Sequence, residues 1–354
     1  MRIPNQDPEA IARGNAFVAT ANNPAAIYYN PAGITQLDGN NVQLGSLFYL
    51  NVYADYQSPS GGKVKNEPEV IPVPSLHYSY TPKGSPLSFG LGVYAPFGLS
   101  MKWPDSAPFA TGGLEGKLTY ITAAPVAALK LHRTLSIAVG PTFNQSDLLI
   151  RQRVGFVPGD EFKFDGEDIG FGYTAGVLWQ PVDQWSFGLS YKSGVGMKYE
   201  GRAALHPLPP LAGSFDSSAP LDFPQIIAGG VSYRPNKDWN FEFDVDWTDW
   251  NSVNRLAVKG VPARKLNWEA SFFYEAGVTR YLSGGYFLSA GYFYSERSTS
   301  ERYFIPNVPD TDLHVGSLGG GYHGRHWRFA IASQIIAGPW RTINSNANPS
   351  VKSV

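Results

Sequence analysis

Hydrophobic and polar residues alternate along most of this chain between residues 41 and 337. In 239–248, Trp239, Phe243 and Trp247 belong to a run of apolar residues at every second position, with polar residues between them. Because successive side chains of a β-strand point to opposite faces, this pattern predicts a strand with one apolar and one polar face. The thirteen segments predicted as strands in this way are 41–56, 70–80, 88–97, 117–131, 135–150, 168–180, 185–200, 221–234, 239–250, 267–281, 286–296, 313–322 and 327–337.

The connections between these segments alternate between short turns and long loops. The short ones are 81–87, 131–134, 180–184, 234–238, 281–286 and 322–326. The long ones lie near 57–70, 98–116, 151–167, 200–220, 251–266 and 296–312. A soluble sandwich or propeller has no reason to place every long loop on one side. The pattern therefore predicts an all-β fold, a transmembrane antiparallel β-barrel with tight turns at one end.

The aromatic residues of 239–248 fit the dimensions of a membrane. At ~3.3 Å per residue and a tilt of about 40°, Trp239 and Trp247 lie roughly 20 Å apart across the bilayer, close to the ~25 Å apolar band that aromatic girdles border. In a soluble sandwich, aliphatic residues would dominate the apolar face. We expect this face to contact lipid and the polar face to line a narrow or hydrated lumen.

Composition excludes several other classes of protein. Charged residues make up 16% of the chain, against roughly 25% in soluble domains. No window approaches the ~20 apolar residues of a membrane helix. The net charge of −1 gives no basic surface for nucleic acid, and the absence of cysteine excludes disulfides and thiolate chemistry.

Three acidic residues, Glu242, Asp244 and Asp246, share the predicted lumen face of one strand. Alternate strand residues lie ~6.6–7 Å apart, a spacing that could suit a metal or a carboxylate pair. More often such a row is a solvated wall facing Lys and Arg of neighbouring strands. The six His are scattered, without a Ser and an acid in a catalytic arrangement. We therefore predict that the protein is not an enzyme and has no cofactor and no metal.

Both ends of the sequence differ from the barrel pattern. Bacterial single-chain barrels have an even number of strands, so we expect that a closing strand is missing from 41–354 or has been miscounted. Residues 1–5 show no charged region followed by an apolar one, and we expect the export signal to lie outside this sequence.

Residues 1–40 lack alternation and contain three helix-start signals, at Asp7-Pro8, Asn23-Pro24 and Asn30-Pro31. Asn or Asp as N-cap followed by Pro is a favoured helix start. So few residues cannot form a domain with its own core. We predict that 1–40 is a plug, or hatch, inside the lumen. The alternative is a disordered periplasmic tail, which the apolar residues Phe17 and Tyr28 argue against.

Three segments resemble the outer-membrane fatty-acid transporter family of the FadL/TodX type. Residues 14–34 are similar to its N-terminal hatch, with Asn30-Pro31-Ala32 at the place of an Asn-Pro-Ala triplet just before the first strand. Residues 93–99 (Val-Tyr-Ala-Pro-Phe-Gly-Leu) and 305–318 resemble the family in the same order. The resemblance covers nearly the whole chain.

This resemblance implies a fourteen-stranded barrel with a lumenal hatch, and a monomer in the outer membrane of a Gram-negative bacterium. It also implies passive uptake of long-chain fatty acids, or of aromatic hydrocarbons, past the outer-membrane lipid and lipopolysaccharide. In the family, an inward kink of the third strand makes a lateral opening beside the hatch.

The residues suggest where each step would occur. Pro96 cannot donate to a sheet ladder, and with Gly98 it predicts a kink or bulge in strand three. The residues predicted to form this kink are Tyr94, Pro96, Phe97 and Gly98. The residues predicted to hold or gate the hatch are Asn30, Pro31 and Ala32, although this triplet could merely start strand one. The aromatic residues predicted to contact a hydrophobic ligand are Phe17, Tyr28, Trp103, Phe109 and Phe156, and Phe162, Phe164 and Phe215 also lie in the outer loops.

The cargo itself is left open by the sequence. A fatty acid would need a cation for its carboxylate, and Arg151, Arg153 and Lys192 are candidates. The alternative function is a general porin or a surface-receptor barrel for small polar solutes, which would not need a plug. A barrel enzyme acting on lipids would need a Ser/His pair at the membrane rim.

Overall fold

The computed structural model describes residues 1–49, 54–57, 62–206 and 213–343. The helical elements are α1 (Pro8–Ala12), α2 (Ala26–Tyr29) and three short 3-10 helices, Pro31–Gln36, Trp250–Ser252 and Ser283–Gly285. The strands are β1 (Gly39–Tyr49), β2 (Asp55–Gln57), β3 (Lys63–Lys65), β4 (Ile71–Thr81), β5 (Leu87–Lys102), β6 (Glu115–His132), β7 (Leu135–Gln152), β8 (Glu161–Val182), β9 (Trp185–Lys192), β10 (Val195–His206), β11 (Gly213–Phe223), β12 (Ile226–Asn236), β13 (Trp239–Thr248), β14 (Arg255–Leu256), β15 (Arg264–Lys265), β16 (Ser271–Tyr281), β17 (Tyr286–Ser295), β18 (Leu313–His323) and β19 (Arg328–Ala337).

One antiparallel sheet contains all the long strands. Its order is β1-β4-β5-β6-β7-β8-β9-β12-β13-β16-β17-β18-β19, and β10 pairs with both β8 and β11. If β9 with β10 and β11 with β12 are each counted as one predicted strand, each long strand lies beside the next one along the chain, as the alternation of turns and loops predicted. Among the described residues, β1 pairs only with β4 and β19 only with β18.

All thirteen predicted segments correspond to strands, but two of them are interrupted. The segment 185–200 breaks between β9 and β10 at Ser193 and Gly194, and 221–234 breaks between β11 and β12 at Pro224 and Gln225. Proline has no N–H for the ladder, which explains the second break. In the first predicted segment, 41–56, β1 ends at Tyr49 and residues 50–53 lie outside the described residues. The prediction was wrong for Asp55 and Tyr56, which belong to β2 and pair with β3 in a separate sheet.

Unlike a sheet in a soluble protein, this sheet exposes apolar side chains on its outer face and buries polar side chains on its inner face. On β13, Phe241 and Phe243 are 44% and 47% exposed, whereas Glu242 and Asp244 are 4% and 0% exposed. The prediction that the polar face points inward is confirmed. An outer face rich in aromatic and aliphatic side chains suits contact with lipid. In the described part of the chain, no helix is long and apolar enough to cross a membrane.

The N-terminal segment, residues 1–38, packs against the inner face of the sheet. Two of the three predicted helix starts are confirmed: Asp7 Oδ1 accepts the N–H of Ala10 at 2.9 Å to cap α1, and Asn30 Oδ1 accepts that of Ala32 at 3.2 Å. The third was wrong by two residues, since α2 has Ala25 as its N-cap and Asn23 Oδ1 accepts the N–H of Ala25 in the turn before the helix. The helices of this segment contact β5 to β8 on one side of the sheet order and β17 to β19 on the other.

Candidate functional site

Two acidic side chains of β13 bind the backbone of the N-terminal segment. Asp244 Oδ2 accepts the N–H groups of Phe17 and Val18 at 2.7 and 2.8 Å. Glu242 Oε1 accepts the N–H groups of the next two residues, at 2.8 Å each. Charge-assisted hydrogen bonds of this kind are stronger than neutral ones. The wall of the sheet thus holds four consecutive peptide groups.

Ion pairs with the N-terminal segment complete this contact. Arg2 pairs with Asp246, and Arg13 Nη1 lies 3.6 Å from Glu242 Oε2. The interpretation of these acids as a solvated wall facing cations of neighbouring strands was therefore wrong, because the N-terminal segment fills the space and supplies the cations itself. Among the described residues, no cluster of His, Asp and Glu could hold a metal ion.

The Asn30-Pro31-Ala32 triplet is buried where the N-terminal segment contacts β8. Besides capping its own helix, Asn30 donates through Nδ2 to the carbonyl oxygens of Val18 and Val177, at 2.9 Å each. Val177 belongs to β8. The Asn30 side chain therefore caps its own helix and also connects two parts of the N-terminal segment to the sheet.

The predicted kink residues lie where the sheet is irregular. The register between β5 and β6 shifts between Tyr94 and Phe97, so Pro96 lies within a bulge. On its other side, β5 pairs with β4 only up to Val93, which faces Leu76. The edges of β4 and β5 therefore separate beyond this pair.

The N-terminal segment occupies the opening between β4 and β5. The N–H of Ile3 donates to Pro96 O at 2.7 Å. The side chain of Gln6 donates to Ala95 O at 2.9 Å and accepts the N–H of Ala95 at 3.4 Å. Backbone bonding resumes above, where the N–H of Glu67 donates to Lys102 O at 2.8 Å. We call this bounded break the β4–β5 opening.

Phe97 belongs to an aromatic cluster that the sequence did not reveal. Its ring centroid lies 5.2 Å from that of Tyr120, 5.1 Å from Phe223 and 5.9 Å from Trp250. Ile305 of an outer loop packs in the same apolar cluster. The signal available in the sequence was Tyr120, the one aromatic residue of β6, which lies at an inward position of that strand.

The structure does not bring the five predicted ligand-contacting aromatics together. Phe17 and Tyr28 pack within the N-terminal segment, and Tyr28 contacts Tyr94 at 5.1 Å between ring centroids. Trp103 and Phe109 pack on each other at 5.0 Å in a separate outer cluster. The fifth residue, Phe156, is 78% exposed. Of the other loop aromatics, Phe162 and Phe164 join the cluster of Phe97, and Phe215 packs against it.

The loop that carries Phe156 is ordered by one carboxylate. Asp160 accepts the N–H groups of Val154, Gly155, Phe156 and Val157 at 2.6 to 3.1 Å. These donors favour the ionised form and lower the pKa of Asp160 to about 2.

The three candidate cations have different surroundings. Arg151 forms ion pairs with Asp105, Glu115 and Glu161. Arg153 also pairs with Asp105.

Lys192 Nζ instead lies 4.5 Å from the centroid of the Tyr28 ring, and no carboxylate of the described residues is within ion-pair distance. Lys192 also lines a small cavity of about 30 Å³ beside Pro96 and Phe97.

The sequence matches the family described as outer membrane protein transport protein (OMPP1/FadL/TodX) over residues 6–327. The long-chain fatty acid transport protein of Escherichia coli O6:H1 is 22% identical over 346 residues, covering 83% of this chain and 76% of that protein. The 47 kDa outer membrane protein of Pasteurella multocida is 24% identical over 364 residues, covering 90% of this chain and 81% of that protein.

Solved structures share the fold. A Pseudomonas aeruginosa FadL homologue superimposes with a TM-score of 0.81 at 17% identity, covering 99% of this chain and 94% of that chain. The Pseudomonas putida toluene transporter TodX gives 0.75 at 17% identity, covering 94% and 92%. The predictions of a transmembrane barrel fold, an outer-membrane location and a non-enzymatic transport role are confirmed. The chain belongs to the OMPP1/FadL/TodX family of outer-membrane transport proteins.

Proposed function

We propose that the protein is a channel for passive uptake of long-chain fatty acids or similar hydrophobic molecules, released sideways into the bilayer through the β4–β5 opening. The observation that carries the proposal is this opening, where β4 and β5 part at Val93 and the N-terminal segment takes the place of a neighbouring strand. A molecule that leaves through the wall avoids periplasmic water altogether.

Residues 1–38 act as the hatch of this channel, two residues fewer than the expected 1–40 because β1 begins at Gly39, and the sheet from β1 to β19 forms its barrel. The hatch is bound by contacts that can be broken singly, such as the hydrogen bonds from Gln6 to Ala95 and from Asn30 to Val177. Movement of the first few residues away from Pro96 would clear the opening while Asp244 and Glu242 keep the rest of the hatch in place.

An apolar path leads from the outer loops toward the opening. The aromatic cluster of Phe97, Tyr120, Phe223 and Trp250 lies between the loops and the hatch, and Ile305 packs on it from the loop side. Burial of apolar cargo among such side chains is favourable by about 25 cal/mol per Å². This state is closed, since the adjoining cavity of about 30 Å³ has room for a water molecule and not for an acyl chain.

A cargo with a carboxylate is favoured over a neutral hydrocarbon by the position of Lys192. Arg151 and Arg153 are already neutralised by acids of the outer loops and strands. Lys192 lies on the same cavity as Pro96, with its Nζ against the ring of Tyr28. A carboxylate arriving along the aromatic cluster would meet this ammonium group just before the opening.

The porin alternative has less support. A porin needs a continuous aqueous channel, and here Arg2, Arg13 and the acids of β13 pack the interior with paired, buried groups. A surface receptor for polar solutes would not require the apolar cluster around Phe97.

Uptake of radiolabelled oleate into vesicles that contain the purified protein tests the proposal, with swelling in a small sugar as the matched measurement. We expect oleate to enter faster than in protein-free vesicles while the sugar remains excluded. If the vesicles swell in the sugar and take up no oleate, the proposal is wrong and the protein is a porin.

A further inference from the structure

The wall of the barrel has a second interruption, between β8 and β10. The ladder of β8 with β9 ends at the pair Thr174 and Lys192. Pairing of β8 with β10 begins only at Glu167 and Glu200. Residues 168–173 of β8 therefore face 193–199 without a ladder, and we call this the β8–β10 gap.

Only the two ends of the gap are closed by hydrogen bonds. At one end, the N–H of Ser193 donates to Tyr173 O at 2.9 Å, and Ser193 Oγ accepts the N–H of Tyr173 at 2.9 Å. At the other end, the N–H of Lys198 donates to the carboxylate of Asp168. Unpaired strand edges are costly at membrane depth, and bulges and breaks of this kind occur preferentially beside functional sites.

Side chains rather than backbone fill the gap. A Cβ on Gly170 would lie 2.5 Å from Val195 Cγ1 and 2.9 Å from Met197 Sδ, so these two side chains lie directly over the inner face of β8. Both are buried. Methionine is unbranched and adapts its shape readily. Rotation of Met197 and Val195 would open the gap without moving the backbone of the hatch.

The gap lies between the interior of the barrel and its lipid-facing surface. The cavity beside Pro96 and Phe97 is also lined by Ser193, Val195 and Tyr173. Tyr173 is 51% exposed on the outer face. One cavity therefore touches both wall interruptions.

The gap lies at the depth of the outer half of the membrane. Trp179 belongs to the exposed aromatics near the short turns. At ~3.3 Å per residue and a tilt of about 40°, residues 168–173 lie roughly 15–28 Å from Trp179, within and just above the outer half of the ~25 Å apolar band. On the outer face, exposed Ile169 and Phe171 give the gap an apolar rim.

We propose that the β8–β10 gap is a second lateral exit for hydrophobic cargo, opened by Met197 and Val195 and independent of the hatch. This inference rests on the proposed uptake function and adds a route to it. Cargo held at the cavity could leave on the Pro96 side, after displacement of the hatch residues, or on the Val195 side, after side-chain rotation alone.

Photolabelling tests the second exit without altering the protein. A fatty acid with a photoreactive group near its methyl end is added to vesicles containing the protein, and labelled peptides are mapped with and without excess oleate. We expect oleate-sensitive labelling of 193–199 as well as of 93–98. Labelling confined to 93–98 would overturn the second exit and leave the first intact.

Variants provide a second measurement. Met197→Trp should fill the gap, and combined with Pro96→Val it should reduce oleate uptake to the protein-free level. Leu189→Trp, which adds similar bulk at an exposed position where β9 is paired with β8, should leave uptake unchanged.

If the double variant takes up oleate as fast as Pro96→Val alone, the gap is only a structural irregularity. If the unmodified protein takes up no oleate, the proposed function itself fails, and the two failures are thereby distinguished.

Discussion

A single carboxylate oxygen of Asp244 accepts the backbone N–H groups of both Phe17 and Val18, which are 227 and 226 positions away in the sequence. The contact joins the hatch to the middle of β13 without using any hatch side chain. Glu242 accepts the next two backbone N–H groups and, in addition, the hydroxyl of Thr20. These bonds determine how firmly the hatch is held against the wall.

Asp244→Ala should loosen the hatch. The variant leaves two buried N–H groups without an acceptor, at a cost of about 1–3 kcal/mol each. Hydrogen exchange should quicken at residues 17 and 18 while the strands remain protected. In Asp244→Asn, an amide oxygen can take the place of Oδ2, so this control should exchange nearly as slowly as the unmodified protein. Equal exchange in the alanine variant would show that the bonds contribute little.

Gly188→Ala should displace the hatch by steric overlap. A Cβ at this position would overlap the carbonyl of Val18, which is backbone and cannot turn aside. We expect a lower yield of folded protein and faster proteolysis of the hatch. Gly229→Ala is the matched control, because a Cβ there meets no atom within 4 Å. If Gly188→Ala and Gly229→Ala give the same yield and the same proteolysis, the close approach of Val18 to β9 does not require a glycine at position 188.

Pro96→Val should slow oleate uptake. Valine restores a backbone donor in the bulge of β5 and favours a continuous ladder across the β4–β5 opening. Gln6→Ala should act in the opposite direction, because it removes both hydrogen bonds to Ala95. Initial uptake rates, normalised to folded barrel by circular dichroism, provide the measurement. Unchanged uptake in both variants would argue against lateral release at this place.

Lys192→Met should discriminate between two kinds of cargo. Loss of the ammonium group removes the partner of a carboxylate but not the apolar path, so uptake of oleate should fall and uptake of toluene should persist. Lys198→Met, which removes an exposed lysine of β10 that pairs with Glu200, is the control. An equal loss for both cargoes would indicate that Lys192 matters for packing on Tyr28 rather than for charge.

The loop of Phe156 should depend on pH through Asp160. Since the pKa of Asp160 is lowered from its ordinary value of 3.8 to about 2, its ionised form stabilises the folded loop. This contribution is fully present above about pH 4 and is lost as the pH falls through 2. We expect amide exchange at 154–157, corrected for intrinsic rates, to accelerate over that range.

Asp160→Asn should weaken the same loop at neutral pH, where trypsin would cut after Arg153 more readily. If the variant loop resists trypsin as well as the unmodified loop does, contacts other than those of Asp160 keep the loop ordered.

The sequence was sufficient for the strands, because alternation on β13 or β8 depends only on neighbouring residues. It was also sufficient for the helix starts at Asp7 and Asn30, because these side chains cap groups two or three residues away. It failed for the acids of β13, whose partners are peptide groups distant in the chain. The sequence also did not predict the break between β9 and β10 at Ser193. The alternation of apolar and polar residues does not indicate where a strand stops pairing with its neighbour.

Because β13 holds the hatch through its backbone, the amino-acid sequence of the hatch can vary largely independently of that of the barrel. Asp244 and Glu242 recognise peptide N–H groups, which every residue except proline possesses. The docking surface is therefore indifferent to the side-chain identity of residues 17–19 wherever space allows, whereas the hydroxyl of Thr20 also donates to Glu242 and accepts from Asn240. A foreign hatch that follows the same backbone path and keeps a hydroxyl at position 20 could be grafted onto this barrel, and proline is excluded at all four positions.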